Sequence, residues 1–210
     1  SCTAIVWPII CGNTVERRAR QLAPRQAAAP LPSGRPAPGQ AGPRTAPSPA
    51  PEPGWAVLHP RPWRYIVIHH SATSVGGAGA FSKYHRHRRG WMSLGYDFVV
   101  GNGTGSGNGE VEVGPRWRNQ EVGAHAGVAL YNEQGIGICL VGNFNSSSGT
   151  PTTAQLDALA RLSAYLMRTY HITENHVLKH SDFRSTQCPG RNFPMQRFRS
   201  LLRKSLGTAK

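Results

Sequence analysis

The chain has 210 residues, of which 39% are hydrophobic, and it carries a formal net charge of +14. This length suits one domain of ordinary size together with a further segment. The apolar run at residues 4–10 is far below the roughly 18 residues that a membrane span requires, so we expect no transmembrane segment. The basic excess favours an anionic partner. Charge alone does not decide whether this partner is nucleic acid, a membrane surface or an anionic cell-wall polymer.

The first part of the chain differs in composition from the rest. From about Gln21 to Pro62 it is rich in Pro, Ala, Gly and Arg and poor in large apolar residues, so it cannot bury enough surface to offset its ordering entropy. We therefore predict an N-terminal segment and disordered linker over residues 1–62. Within this segment, Cys2 and Cys11 could form a local disulfide or remain free, and Cys2 ahead of a long tether is also compatible with lipid attachment.

The remaining residues, 63–206, predict a single folded domain in which strands and helices alternate. Strands are predicted at residues 63–71, 95–100, 111–113 and 135–143, with a short extended segment at residues 176–179. Helices are predicted at residues 76–91, 151–171 and 193–206. These elements indicate an α/β fold with a central mixed β-sheet flanked by helices.

Two of the predicted helices have distinct faces. In the second, Thr152 and Gln155 form a capping box at the start, and one face at helical spacing is predicted to lie in the core. That face comprises Leu156, Leu159, Ala160, Ser163, Leu166, Met167 and Tyr170. In the first helix, His85 and His87 belong to a predicted solvated basic face.

Several functional classes lack their motifs in this sequence. The four cysteines form no C-x-x-C pair, which excludes a zinc ribbon or a thioredoxin-type motif. Residues 101–109 contain five glycines but no phosphate-binding fingerprint, so we predict a hairpin loop. No zinc-finger or helix-turn-helix pattern favours nucleic acid. Cys139 lies in an apolar run and is predicted to be a buried small hydrophobe.

The segment from His180 to Cys188 is polar and turn-rich, and it contains two good zinc ligands, an imidazole and a thiolate. A catalytic zinc site typically has three protein ligands and one water. The third ligand could come from His69 or His70 at the end of the first strand. Because strand side chains alternate between faces, only one of these two can point into a given pocket.

A further histidine, His125, lies in the small-residue loop 121–127. The small neighbours leave room for a ligand beside it, but a purely structural histidine fits the pattern as well.

Taken together, these motifs resemble the zinc-dependent N-acetylmuramoyl-L-alanine amidases of the phage-lysozyme type and the related peptidoglycan recognition proteins. The resemblance runs from about Trp63 to Leu202 and says nothing about residues 1–60. It rests on residues 68–73, 94–98, 123–126 and 135–138, on Asn132 and His180, and on residues 188–190.

The resemblance implies specific roles for individual residues. His69, His180 and Cys188 are expected to bind Zn²⁺, and Tyr96 matches the active-site tyrosine. Thr186 stands where the phage enzymes carry a lysine, as it does in the catalytic recognition proteins. Cys139 occupies the strand position of a glutamate base in other members and cannot replace a carboxylate as a base. Contacts with substrate are implied for His125, His70 and Asn132, and a role as proton shuttle is the alternative for His125.

The activity implied by the resemblance is hydrolysis, by a zinc-activated water, of the amide bond between N-acetylmuramic acid and L-alanine in peptidoglycan. The alternatives are a recognition module that binds peptidoglycan without cutting it, and a basic nucleic-acid binder whose histidines are incidental. Non-catalytic recognition proteins lack the cysteine ligand, so Cys188 favours the enzyme. We expect a monomer that is secreted or resides in the cell envelope, with peptidoglycan as its partner and no nucleic acid.

Overall fold

The structure, a computed structural model, describes residues 52–207. Within them, the strands are β1 (Tyr65–His70), β2 (Phe98–Val100), β3 (Val111–Val113), β4 (Gly135–Leu140) and β5 (Val177–Lys179). The α-helices are α1 (Ala78–Arg89), α2 (Pro115–Asn119), α3 (Ala129–Gln134), α4 (Thr153–Tyr170) and α5 (Met195–Leu206). The predictions for residues 1–51, including Cys2, Cys11 and the tether, lie outside the described residues.

The strands form one mixed sheet in the order β3-β2-β4-β1-β5. Strands β2, β4, β1 and β5 are parallel, and β3 pairs antiparallel with β2 through the predicted glycine-rich hairpin. The predicted α/β fold with a central mixed sheet is therefore confirmed. Because the parallel strands end at the same edge, the polar residues that follow β1 and β5 are brought close together.

One face of the sheet packs against α4 and α5 and forms the larger part of the core. The capping box of α4 is present, because Thr152 Oγ1 accepts from Gln155 N at 3.0 Å and Gln155 Oε1 accepts from Thr152 N at 3.1 Å. The predicted core face of α4 is buried, apart from Tyr170, which is half-buried. None of the helices in residues 52–207 is long and apolar enough to cross a membrane.

The opposite face of the sheet is covered by a smaller cluster. It consists of Phe81, Leu94, Tyr96, Val99, Cys139 and Val141. His69 pairs in register with Cys139 and so shares this face, whereas His70 points to the larger core and packs against Phe144. Strand alternation thus separates the two histidines, and Cys139 is buried as predicted.

Three features differ from the sequence predictions. His85 was expected on the solvated face of α1 but is buried, and its Nδ1 accepts from Gly95 N at 3.1 Å. The short helices α2 and α3 had no predicted counterpart, since five or six residues give too little periodicity. Strand β2 begins at Phe98, because the carboxylate of Asp97, rather than a carbonyl, accepts the Gly137 N–H at 2.7 Å.

The core also includes a residue upstream of Trp63, where we placed the start of the folded domain. Trp55 is only 3% exposed, and its ring lies 5.5 Å from that of Tyr165. Its carbonyl accepts the indole N–H of Trp117 at 3.1 Å. Part of the segment 52–62 therefore packs onto the sheet and its helices.

Candidate metal centre and active site

The site lies at the carboxyl ends of the parallel strands. β1 ends with His69 and His70, and β5 leads directly into a short turn of 3₁₀ helix, His180–Asp182. From there the chain loops out and back, and Ser181 N donates to Cys188 O at 2.9 Å. This closure brings Cys188 beside His180, although eight positions separate them.

Three potential metal ligands converge at this point. The ligand atoms of His69, His180 and Cys188 all lie within 4.8 Å of one another, and Cys188 Sγ is 3.6 Å from His69 Nδ1. The two histidines are buried and Cys188 is half-buried. Of the two histidines at the end of β1, the structure therefore brings His69 into the cluster and leaves His70 outside it.

The cluster fits a zinc ion by its chemistry, and one of its three ligand pairs also has the spacing of a zinc site. Zinc takes imidazole and thiolate ligands in tetrahedral geometry, which places neighbouring ligand atoms about 3.3–3.6 Å apart. The Cys188–His69 distance of 3.6 Å meets that requirement. The backbone N–H of His70 also donates to Cys188 Sγ at 3.5 Å, a contact that stabilises a thiolate.

The protein environment keeps the imidazoles in the cluster neutral. Burial lowers the pKa of His69 well below its usual value, and the neighbouring His180 and His125 lower it further. Burial also lowers the pKa of His180. A neutral imidazole has a free lone pair, so both side chains are in the form that binds a metal.

Each histidine ligand also has a hydrogen-bond partner behind it. His69 Nε2 lies 3.0 Å from His125 Nδ1, and His125 Nε2 lies 3.2 Å from Gly135 O. His180 Nε2 lies 2.9 Å from Ala126 O. The loop that holds His125 and Ala126 thus contacts both ligands on the side away from the cluster.

Two of the three residues for which we expected substrate contacts, His70 and His125, are buried in the structure. The His125 side chain is fully buried, and burial lowers its pKa to about 3. His70 is buried, with Nδ1 accepting from Phe144 N at 3.1 Å. Asn132 is half-buried and its Oδ1 accepts from the backbone of the His125 loop. The hydrogen bonds of these three side chains are thus to protein groups, and their contact with substrate stays a prediction.

Tyr96 lies beside the cluster, with its ring centroid 5.3 Å from that of His69. Burial raises the pKa of its phenol well above the usual value, and the neighbouring Cys139 and Cys188 raise it further. The hydroxyl therefore stays protonated near neutral pH and can donate a hydrogen bond. The side chain of Cys139 belongs to the same small cluster as Tyr96.

Thr186 is half-buried in the loop that carries the cysteine ligand. Its Oγ1 accepts the backbone N–H of Cys188 at 3.2 Å. The side chain therefore braces the ligand loop, and its hydroxyl hydrogen is available for a further hydrogen bond.

One residue of the site escaped the sequence analysis. Asp97 is fully buried below His125, with its Oδ2 4.0 Å from His125 Nε2 and with no hydrogen-bond partner for its Oδ1. Burial raises its pKa to about 7, against the lowering effects of the Gly137 N–H and Arg116. The one available signal was a carboxylate inside an apolar strand run, which alone does not reveal a partner.

Fold and cluster together define an α/β protein with a His-His-Cys group that could hold a metal ion at the ends of its parallel strands. Residues 59–191 match the N-acetylmuramoyl-L-alanine amidase family. The chain belongs to this family.

Known relatives agree with that membership. A peptidoglycan recognition protein of Trichoplusia ni is 34% identical over 140 residues, which cover 62% of this chain and 71% of the relative. The solved structure of the N-acetylmuramoyl-L-alanine amidase LysC from Clostridium intestinale URNW has a TM-score of 0.57 at 32% identity, covering 71% of this chain and 88% of LysC. A Drosophila PGRP-LB mutant in complex with tracheal cytotoxin has a TM-score of 0.50 at 26% identity, with coverage of 66% and 80%. The function of the chain is therefore related to peptidoglycan.

Proposed function

We propose that the protein is a zinc-dependent amidase that hydrolyses the bond between N-acetylmuramic acid and L-alanine in peptidoglycan. The observation that carries this proposal is the convergence of His69, His180 and Cys188 within 4.8 Å. Three protein ligands leave the fourth position of a tetrahedral ion open to water and substrate, as catalytic zinc sites do. A closed structural site would use a fourth side chain.

The proposed chemistry divides between the ion and the surrounding side chains. When bound, zinc would polarise the substrate carbonyl and lower the pKa of a water molecule toward about 7. Tyr96 keeps its proton because of its raised pKa, so its hydroxyl would donate to the carbonyl oxygen as negative charge develops there. Thr186 would hold the Cys188 loop in place and offer its hydroxyl to substrate, without the positive charge that a lysine would bring.

We extend the proposal to partner, location and domain limits. Peptidoglycan lies outside the cytoplasmic membrane, so the protein would be secreted or held in the cell envelope. A net charge of +14 would favour approach to anionic wall polymers. The amidase unit would act as a monomer, with an N-terminal linker ahead of it, and it would include Trp55 of the main core as well as residues 63–206.

A binding-only function is the second candidate, because several relatives are named as recognition proteins. Such a protein would hold muramyl peptides in the same site without cutting them. The half-buried thiol of Cys188 favours catalysis over binding alone, because it completes the set of three candidate metal ligands.

Digestion of purified peptidoglycan tests the proposal. The zinc-loaded protein should release stem peptides that begin with L-alanine, and a chelator or the Cys188→Ser substitution should abolish the release. New reducing sugar ends would identify a glycosidase and overturn the proposal. A zinc-loaded protein that binds the wall but releases no peptide would instead establish the binding-only function.

A further inference from the structure

The hydrogen bonds behind the cluster assign a proton to each histidine ligand. A nitrogen that binds a metal carries no proton, so the other nitrogen of a neutral imidazole must carry it. His69 directs Nδ1 toward Cys188 Sγ and Nε2 toward His125 Nδ1. His69 Nε2 is then the donor and His125 Nδ1 the acceptor, which places the His125 proton on Nε2, facing Gly135 O.

The position of His125 is itself fixed by packing. Its ring lies over Gly137 in β4, where an added Cβ would come within 2.5 Å of ring atoms. The side chain is fully buried, so water does not compete for either ring nitrogen. His125 therefore offers His69 a single acceptor in a fixed place.

The second ligand is held by the same loop through its backbone. Ala126 O accepts from His180 Nε2 at 2.9 Å, which leaves His180 Nδ1 for a metal. Asn132 Oδ1 in turn accepts from Ala126 N at 2.8 Å and from His125 N at 3.0 Å. One side-chain oxygen thus fixes the two consecutive residues that contact the two ligands.

From this geometry we propose that His125 and Asn132 are positioning residues that orient both histidine ligands with Nδ1 toward the metal. The inference rests on the proposed zinc site and concerns how that site is preorganised. Outer partners of this kind fix the tautomer and ring orientation of metal-binding histidines, and their loss typically weakens metal binding by about 10–100-fold. His125 acts on His69 by its ring, and Asn132 acts on both ligands through the loop.

Zinc affinity, measured by competition with a chromophoric chelator on the full chain, tests the proposal. His125→Phe keeps a ring over Gly137 but removes the acceptor, and Asn132→Leu keeps the approximate volume but removes the two hydrogen bonds. Each should weaken zinc binding by about 10–100-fold. Asn132→Asp keeps an acceptor oxygen and should bind zinc within about threefold of the wild type, a difference of about 0.7 kcal/mol. His87→Ala, in the exposed part of α1, serves as the unaffected control.

A second measurement needs no variant and therefore no assumption about folding. Nitrogen-15 NMR of the histidine side chains in the zinc-loaded wild type should show the proton of both His69 and His180 on Nε2. A ligand with its proton on Nδ1 would overturn the proposal, as would wild-type zinc affinity in both His125→Phe and Asn132→Leu.

Cys188→Ser distinguishes failure of the proposed zinc site from failure of the positioning role. If it binds zinc as the wild type does, the proposed zinc site fails; if it loses zinc while the positioning variants keep it, only the positioning role fails.

Discussion

At the scale of single residues, contacts rather than burial separate the polar side chains beside the cluster from those behind it, because Tyr96 and His70 are both 4% exposed and His125 is 5% exposed. Tyr96 and Cys188 lie at the cluster, while His70 and His125 are covered by protein and hold backbone or ring partners. Both kinds of residue look alike in a sequence, because each is a polar side chain beside small neighbours. Only the pattern of contacts separates them.

The phenol of Tyr96 gives the first prediction. Under the proposed mechanism, Tyr96→Phe removes one hydrogen-bond donor from the developing oxyanion and should lower kcat by roughly 10²–10³. Zinc content should not change, because the tyrosine is not a ligand in the cluster. Release of stem peptides and metal analysis on the same preparation provide the measurement. Tyr165→Phe, which alters a tyrosine packed against Trp55, should retain full activity; equal activity in both variants would remove Tyr96 from the mechanism.

The carboxyl of Asp97 gives a prediction about pH and stability. Its pKa is raised to about 7 in the folded chain, from 3.8 in the unfolded chain. Between these values the unfolded chain releases the proton and the folded chain keeps it, so this group lowers stability as pH rises from about 4 to 7. Above pH 7 the loss is complete and no longer grows.

Asp97→Asn removes this titration while keeping an oxygen for the Gly137 N–H. The Tm of the variant should therefore rise relative to the wild type between pH 4 and pH 7 and then run parallel to it. Thermal unfolding of both proteins across this range provides the test. A Tm difference that is constant over the whole range would contradict the raised pKa.

At the scale of elements, Gly137 in β4 has no side chain, and this leaves space for the His125 ring behind His69. Strands β1 and β4 pair in parallel with Gly137 beside Val67, so the residue at position 137 determines what can lie over the sheet two positions before His69. The alternation of β1 was predictable from its apolar pattern. The need for a glycine at position 137 was not, because it depends on a ring from a loop that precedes the strand.

Gly137→Ala tests this element-scale relation. The added methyl would lie 2.5 Å from the His125 ring, so the ring must shift and zinc affinity and stability should both fall. The matched control is Gly79→Ala in α1, where an added methyl meets nothing within 4 Å. That change should leave zinc affinity unaltered and be neutral or stabilising by up to about 1 kcal/mol. Wild-type zinc affinity in Gly137→Ala would show that the His125 ring has room to move.

At the scale of the whole molecule, the folded unit includes residues that composition assigns to the linker. The sequence Pro53-Gly54-Trp55 lies in a Pro-rich and Ala-rich context, yet Trp55 fills a place in the main core. A large apolar side chain such as Trp55 favours burial. The residues around it, however, have no periodic apolar pattern that would predict a helix or a strand. Its partners, Tyr165 and Trp117, are distant in the chain.

Trp55→Ala measures what this upstream segment contributes. Removal of a buried tryptophan side chain should cost about 3–5 kcal/mol of unfolding free energy. Leu58→Ala alters a side chain that is 93% exposed and should change stability by less than about 0.5 kcal/mol. Denaturant unfolding of the two variants gives the comparison. A small loss in Trp55→Ala would place the folded unit downstream of this segment.

The sequence by itself determined the order of the five strands and the three longer helices, the burial of β1 and α4, and the set of candidate ligands. Periodicity is a pattern among neighbouring residues, and the ability to bind a metal is a property of each His or Cys side chain. Both can therefore be read directly from the sequence. The local pattern left His69 and His70 open and the family resemblance implied His69; the tertiary structure places His69 beside His180 and Cys188, and it alone shows that His125 lies behind the cluster. Such choices depend on which face of a strand is covered by distant segments, and no local pattern contains that information. The His180–Cys188 loop shows both contributions, since its ligands are visible in the sequence and its convergence on β1 arises from the parallel sheet.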